Sequence, residues 1–297
     1  MKADGGRAAT WAGPVAARPT PSRILPPQGL RSVPVYVRRP RLDPNRSHTV
    51  NSPAQRILAW CVHAFTLSGF LFAALAVLAL IQGEIAMMWL WLCVAMAVDA
   101  VDGTLARRAD VKRHVPWFDG GTVDIVVDYL TWTFIPALFM YLHLPWGGGP
   151  LPMILLVVVL VSSMFCYANE EWKSADYYFV GFPAAWNIVA VALWVMQTGA
   201  VVNIAVTLVL AVLTLVPTHY THPFRVRRFM ALNILAVCAW TISAGWLVAI
   251  HPVRPTWLFM VFWATGAWFL LTCVWRTVAG ALRGAKATDP VDEGPAA

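Results

Sequence analysis

The chain has 297 residues, of which 59% are hydrophobic and only 12% are charged, and it contains 16 tryptophans. This composition is typical of a polytopic membrane protein and excludes a water-soluble globular protein. The five cysteines fall in apolar stretches without the paired spacing of a metal or redox motif, so they are expected to be packing residues.

Residues 1–52 are rich in Pro, Arg, Gly and Ala and show no apolar periodicity. They lack the apolar core of roughly 7 to 15 residues that marks a secretory signal. We therefore expect either a disordered basic cytoplasmic tail or an extension that results from a wrongly chosen upstream start codon. A basic arm lying on anionic lipid is the alternative interpretation. Residues 284–297 are expected to form a second disordered tail, which leaves 53–283 as the membrane domain.

Eight long apolar segments follow, and each is near the roughly 20 residues that a helix needs to cross the hydrocarbon core. They comprise residues 57–81, 86–107, 120–143, 151–169, 183–197, 201–217, 230–250 and 256–276. The fifth and sixth are the shortest, and Gly199 marks the turn between them. The predicted fold class is an all-α integral membrane protein, a helical bundle of about eight transmembrane helices.

The basic residues predict the orientation of this bundle. If the N-terminus is cytoplasmic, all 22 Lys and Arg residues except Arg254 lie in cytoplasmic segments. Both termini are then cytoplasmic. The net charge of +7 reflects this topology and the anionic lipid head groups, and it gives no reason to expect nucleic-acid binding.

Four aspartates form two pairs in the second and third apolar segments, on either side of a short basic stretch. Asp99 and Asp102 are three residues apart, and Asp124 and Asp128 are four apart, so each pair shares one face of its helix. Asp99 lies roughly 12 Å below the point where its helix leaves the membrane at Arg107. We expect both pairs to meet at one level, just inside the cytoplasmic surface.

Carboxylates in a bilayer cost about 2.5 to 3.5 kcal/mol each, so four of them need a compensating partner. Bound divalent cations are the simplest partner. Aspartate oxygens suit Mg²⁺ or Mn²⁺, and nothing here suits zinc, which prefers Cys and His. Two carboxylate pairs could hold two metals that clamp an in-line phosphoryl displacement. Basic side chains at the mouth could bind phosphate oxygens, namely Arg107, Arg108, Lys112 and Arg113.

The spacing of these residues resembles the signature of the CDP-alcohol phosphatidyltransferases. The matching positions are Asp99, Asp102, Gly103, Ala106, Arg107, Gly120, Asp124 and Asp128. Twelve residues separate Arg107 from Gly120, which is similar to the bacterial phosphatidylcholine synthase branch of that family. Further matches to this branch lie in 179–187 and 222–227. The resemblance covers about residues 55–280.

The resemblance implies an enzyme of the bacterial inner membrane that transfers a phosphatidyl group from CDP-diacylglycerol to choline and releases CMP. Its active site would face the cytoplasm, and a homodimer is plausible because members of the wider family commonly pair. The four aspartates are implied to hold the metal, with Asp128 also the general base that takes the choline hydroxyl proton. The residues implied to line the CDP site are Gly103, Ala106, Arg107 and Gly120.

Two further segments could contact the substrates. A quaternary ammonium favours aromatic faces and a nearby carboxylate, and the loop at 169–179 supplies both in Glu170, Glu171, Trp172 and Tyr178. Placement of these residues at the membrane interface is the alternative. The segment at 218–228 contains three arginines, Arg225, Arg227 and Arg228. They could contact a phosphate or, alternatively, anchor the segment at the membrane interface.

Three other functions compete with this hypothesis. A related enzyme could use serine, inositol phosphate or glycerol phosphate as acceptor, although a phosphorylated acceptor would need extra cationic contacts. An ion transporter could place aspartates along a cation path, but it would have them near the bilayer midplane. An inactive scaffold would not be expected to keep the whole signature.

Overall fold

The computed structural model describes residues 52–169, 179–216, 218–220 and 230–287. The predicted tails at 1–52 and 284–297 lie outside the described residues, apart from their inner ends. Ser52 caps the first helix, and the last helix continues to Ala287. The helical part of the domain therefore extends past the predicted boundary at 283.

The first two helices, α1 (Pro53–Gln82) and α2 (Ile85–Arg108), form a long antiparallel pair. A capping box starts α1: the Gln55 amide donates to the Ser52 hydroxyl, and the Ser52 amide donates to the Gln55 side chain. Gly83 ends α1 with a φ of +77°, a left-handed conformation that favours glycine. The tight connection at this glycine returns the chain along α1.

After the short helix α3 (Val111–His114), the third predicted span forms one continuous helical segment, Gly120–His143. Its three parts are α4 (Gly120–Asp128), a π-helical stretch (Tyr129–Phe134) and α5 (Ile135–His143). The π-helical stretch begins directly after Asp128, and the sequence pattern did not predict it. Local widening of a helix in this way frequently occurs at functional sites.

Five helices and two short strands complete the described part of the chain. They are α6 (Leu151–Ala168), β1 (Phe179–Val180), α7 (Trp186–Met196), α8 (Ala200–Leu213), β2 (His219–Tyr220), α9 (Met230–Ala249) and α10 (Thr256–Ala287). The strands pair antiparallel, with Phe179 opposite Tyr220 and Val180 opposite His219. This small ladder joins the chain before α7 to the chain before α9.

Six helical segments of the described residues are long and apolar enough to cross a membrane. The fifth and sixth predicted spans are shorter than expected, because α7 has 11 residues and α8 has 14. Ala184, with a φ of +55°, delays the start of α7, and Gln197, with a φ of +54°, ends it. Because six and eight are both even, either count leaves the two ends of the domain on the same side of the membrane.

Helix α1 packs against the helices that carry the four aspartates and against the segments that adjoin them. It contacts α2, α3, α4 and α5. A small apolar cluster joins α1 to the basic loop after α2, with Ala59 and Val62 against Val111 and Val115. The closest approach to α4 is at Gly69, where an added Cβ would lie 2.5 Å from Val127 Cγ1. These contacts hold α2 and α4 side by side.

Candidate active site

Helices α2 and α4 bring three of the four predicted aspartates together. Carboxylate oxygens of Asp99, Asp124 and Asp128 all lie within 4.8 Å of one another, and all three side chains are partly buried. In the part of the chain that the structure describes, this is the one group of acidic, His or Cys side chains that could hold a metal ion. The two-helix arrangement expected from the sequence is therefore present.

Asp102 lies beside this group and makes different contacts. It is only 5% exposed, and its carboxylate lies beside the side chain of Thr66 on α1, whose hydroxyl donates to the Val62 carbonyl at 3.4 Å. The Arg107 guanidinium lies within electrostatic reach of it. Asp102 also acts electrostatically on Asp124. Of the four predicted aspartates, three therefore form a cluster, and the fourth, Asp102, is buried beside α1.

The clustered carboxylates fit a divalent cation. Oδ1 of Asp128 is buried and has no hydrogen-bond donor, and the charges of Asp99, Asp124 and Asp102 all act on this side chain. A buried acceptor among like charges is costly unless a cation balances it. Hard carboxylate oxygens are the ligands that Mg²⁺ and Mn²⁺ prefer. The donor set therefore agrees with the predicted metal site.

The residues expected to line a nucleotide site flank the carboxylates. The Arg107 side chain folds back over Gly103, where an added Cβ would be 3.3 Å from Nη1, and its Nη2 donates to the Thr104 hydroxyl at 3.0 Å. Gly120 starts α4 and has the imidazole of His63 against it, 2.9 Å from the position of an added Cβ. Ala106 packs against the small apolar cluster that joins α1 to the loop. A side chain at Gly103 or Gly120 would meet a functional group directly.

The start of α4 is capped by its own loop. Asp119 accepts hydrogen bonds from the Gly121 amide at 3.0 Å and the Thr122 hydroxyl at 2.8 Å. These bonds, that of Thr122 first, hold the pKa of the Asp119 carboxyl below its usual value. The cap sets where α4 begins, and with it the height of Asp124 in the bundle.

Sequence reasoning missed several residues around the carboxylates. Thr66, His63 and Gly69 lie on α1 and contact α2 or the α4 segment. Tyr129 and Tyr167 form an aromatic pair beside Asp128, with ring centroids 5.7 Å apart. Polar residues in an otherwise apolar α1 were the available signal, but no spacing rule links one helix to another. The tyrosines carried no signal, because tyrosine is common at membrane interfaces.

The predicted substrate contacts of two loops lie outside the described residues. They are Glu170, Glu171, Trp172, Tyr178, Arg225, Arg227 and Arg228. The residues that border these loops are described, and the β1–β2 ladder pairs Phe179 with Tyr220. The Gly181 amide adds a hydrogen bond to the Thr218 carbonyl at 2.8 Å. The end of one loop and the start of the other are therefore attached to each other.

Comparison with known proteins adds independent support. No model of a known protein family matches the chain. The chain is 46% identical over 226 residues to a phosphatidylcholine synthase of Pseudomonas aeruginosa, an overlap that covers 76% of this chain and 94% of that protein. It is 36% identical over 222 residues to a phosphatidylcholine synthase of Agrobacterium fabrum, covering 75% and 91% of the two chains. For that of Rhizobium meliloti the identity is 34% over 214 residues, covering 72% and 88%.

These overlaps span almost the whole of each relative, and they confirm the resemblance that the aspartate spacing predicted. The chain belongs to the phosphatidylcholine synthase family.

Proposed function

We propose that this membrane enzyme transfers the phosphatidyl group of CDP-diacylglycerol to the hydroxyl of choline and releases CMP. The observation that carries the proposal is the group of three carboxylates on α2 and α4, within 4.8 Å of one another, in a chain of the phosphatidylcholine synthase family. A phosphoryl transfer in a membrane needs such a cluster of hard oxygen ligands, because charge builds up on the reacting phosphate.

The reaction forms one phosphorus–oxygen bond and breaks another. The choline oxygen bonds to the phosphorus of the phosphatidyl group, and the bond from that phosphorus to the bridging oxygen of the pyrophosphate breaks. The electron pair leaves with CMP. Asp128 takes the hydroxyl proton in this proposal, and its buried Oδ1, which has no donor, is an acceptor ready for it.

Asp99, Asp124 and Asp128, with Asp102 beside them, would hold Mn²⁺ or Mg²⁺. A metal held there would supply positive charge that offsets the negative charge of the pyrophosphate and of the departing CMP. The protein's own contribution is to orient the carboxylates. Thr66 lies beside the fourth carboxylate, and the close contact between Gly69 and Val127 sets the separation of α1 and α4.

The nucleotide would lie against the short side chains of α2 and the start of α4. Gly103 and Gly120 have the side chains of Arg107 and His63 against them, and Arg107 is placed one turn beyond Gly103. A guanidinium can bind a phosphate with two parallel hydrogen bonds. We therefore assign Arg107 to a phosphate of the CDP group.

We place the active site at the cytoplasmic face of the bacterial inner membrane, with both termini cytoplasmic. The support is the distribution of charge: the basic stretch after α2 lies next to the carboxylates, and Arg254 lies between α9 and α10 at the opposite end of the bundle. Single cysteines introduced at positions 112 and 254 test this orientation. The measurement is the side of the membrane from which each cysteine can be labelled. Labelling of 112 from outside would overturn it.

The direct test is an assay of purified full-length protein with CDP-diacylglycerol, Mn²⁺ and labelled choline. Serine, inositol and glycerol 3-phosphate run in parallel as acceptors. We expect labelled phosphatidylcholine and CMP from choline alone. Product from another acceptor would still support the carboxylate site but would contradict the assignment of choline as the acceptor. No product from any acceptor, with folded protein, would favour cation transport.

A single variant tests the assignment of the base. Asp128→Asn should abolish turnover while CDP-diacylglycerol still binds, because the change removes the proton acceptor and keeps the shape. Unchanged turnover would remove Asp128 from that role.

A further inference from the structure

Two tyrosines lie beside the carboxylates, and the reaction described above gives them no part. Tyr129 follows Asp128 and begins the π-helical stretch, and Tyr167 lies in the last turn of α6. Their ring centroids are 5.7 Å apart and their planes meet at 76°, so the rings form the two walls of a corner. Both side chains are partly buried and partly accessible.

The polar ends of the two rings lie against other parts of the protein. The Tyr129 hydroxyl donates to the Leu160 carbonyl at 3.4 Å. The Tyr167 side chain lies beside Thr133, whose hydroxyl donates to the Ala184 carbonyl at 3.3 Å. Thr133 is fully buried. The Tyr129 ring is thus held at its polar end, and the Tyr167 ring packs against it.

The corner lies in a negative field. The carboxylate of Asp128 acts electrostatically on the Tyr167 hydroxyl, and so does that of Asp99. The face of an aromatic ring attracts a cation within about 6 Å of the ring centroid, and nearby carboxylates add to this attraction. The corner is therefore suited to a cation that cannot donate hydrogen bonds.

A quaternary ammonium is such a cation, and choline carries it two carbon atoms from its hydroxyl. When the hydroxyl is presented to Asp128, the trimethylammonium group must lie close to that residue. Ethanolamine or serine would instead donate N–H hydrogen bonds to carboxylates. Tyr167 lies within electrostatic reach of Asp128, and its ring packs against that of Tyr129, so the pair is near the required place.

We propose that the corner formed by Tyr129 and Tyr167 receives the trimethylammonium group of choline and gives the enzyme its preference for that acceptor. This assignment rests on the proposed function. It makes the two tyrosines binding residues, while the carboxylates carry out the transfer.

The test replaces each tyrosine in the full-length protein with phenylalanine and then with mono-, di- and trifluorophenylalanine. Fluorine withdraws electron density from the ring face and keeps the ring's shape, so these variants should fold alike. We expect the choline KM to rise with each fluorine, by roughly 2- to 30-fold over the series. The KM for CDP-diacylglycerol should stay within about twofold, because that substrate contacts other residues.

Two controls accompany the series. Tyr141 on α5 lies towards the other end of the bundle, and the same replacements there should leave the choline KM unchanged. The neutral isostere 3,3-dimethylbutan-1-ol has choline's shape without its charge, so its inhibition constant should not follow the fluorine series. Tyr129→Leu and Tyr167→Leu should raise the choline KM at least as much as the most fluorinated variant.

Three outcomes would overturn the assignment. A flat choline KM across the series would make the pair a packing contact between the π-helical stretch and α6. A KM that rises equally for the neutral isostere would make the corner a shape-selective pocket without cation recognition. Wild-type protein that makes no phosphatidylcholine would reject the proposed function, and the choline corner with it.

Discussion

The two ends of the helical bundle differ in how their polar side chains are hydrogen-bonded. At the carboxylate end, formed by Asp99, Asp102, Asp124 and Asp128, like charges face one another and a buried oxygen of Asp128 has no donor. At the opposite end, polar side chains are bonded mainly to backbone carbonyls. The first arrangement costs stability and the second contributes it.

The opposite end shows how thoroughly a polar group can be satisfied in this fold. Asn203 is fully buried, donates to the Pro145 carbonyl at 2.8 Å and accepts from the Thr198 hydroxyl. Gln197 donates to the Pro252 carbonyl at 2.9 Å, and Arg254 donates to the Met196 carbonyl at 3.0 Å; these bonds tie the end of α7 to the loop before α10.

Two rings at that end also leave a nitrogen without a partner. Trp194 and His251 stack at 4.2 Å, and each has one buried ring nitrogen without a hydrogen bond. Burial, and then the charge of Arg254, lower the pKa of His251, which favours its neutral form. Among the residues compared here, a cluster of like charges is found at the carboxylate end. We conclude that this end is arranged for a cationic ligand.

The largest effect should come from removing one clustered carboxylate. Asp124→Asn should lower turnover by about 100-fold or more, because the metal site supplies several kcal/mol of charge stabilisation. The unfolding temperature in detergent without metal should stay the same or rise, since one like charge is gone. Mn²⁺ should raise the unfolding temperature of the wild type and not that of the variant.

Glu84→Gln is the matched control for this change, because Glu84 is an exposed acid in the connection between α1 and α2. It should keep full activity and full stabilisation by Mn²⁺. Equal stabilisation of Asp124→Asn and the wild type by Mn²⁺ would contradict the metal assignment.

The next largest effect is expected at the opposite end, on stability alone. Asn203→Ala removes a buried side chain that bonds Pro145 and Thr198, and it should cost about 1 to 3 kcal/mol. Thermal unfolding in detergent measures the loss. The turnover of the remaining folded protein should be unchanged; a parallel loss of turnover would show that the two ends are coupled.

Only part of this arrangement could be predicted from the sequence. The helices and the meeting of Asp99 with Asp124 and Asp128 followed from length, polarity and three- or four-residue spacing, which are local properties. The short α7 was not predictable, because it depends on left-handed backbone at Ala184 and Gln197. The position of Thr66 beside Asp102 was not predictable either, since these residues lie on two helices whose facing surfaces no periodicity specifies.

Thr66→Val is expected to have a smaller effect on activity. It keeps the shape of the side chain and removes the hydroxyl that lies beside the buried Asp102 carboxylate, so turnover should fall about 3- to 10-fold, equivalent to roughly 1 kcal/mol. Thr207→Val is the control, because Thr207 is equally enclosed and its hydroxyl has no partner. That change should leave turnover unaltered and should not lower stability. Equal losses in both variants would assign the effect to packing.

The smallest effect on turnover should come from the cap of α4, which acts on stability. Asp119→Ala removes the acceptor for Gly121 and Thr122 and should cost about 0.5 to 2 kcal/mol at pH 7. The folded-state pKa of Asp119 is lowered, so its stabilising charge is present above the unfolded pKa of about 3.9 and is lost as the pH falls through the folded value. The difference in unfolding temperature between wild type and Asp119→Ala should therefore shrink below about pH 4. Asp119→Asn keeps the cap without the charge, and its difference from Asp119→Ala should stay constant with pH. If the difference in unfolding temperature between the wild type and Asp119→Ala is also constant with pH, the cap acts through hydrogen bonding alone. The charge of Asp119 would then contribute nothing to stability, in contrast to the charges of the carboxylates on α2 and α4, which we assign to the chemistry.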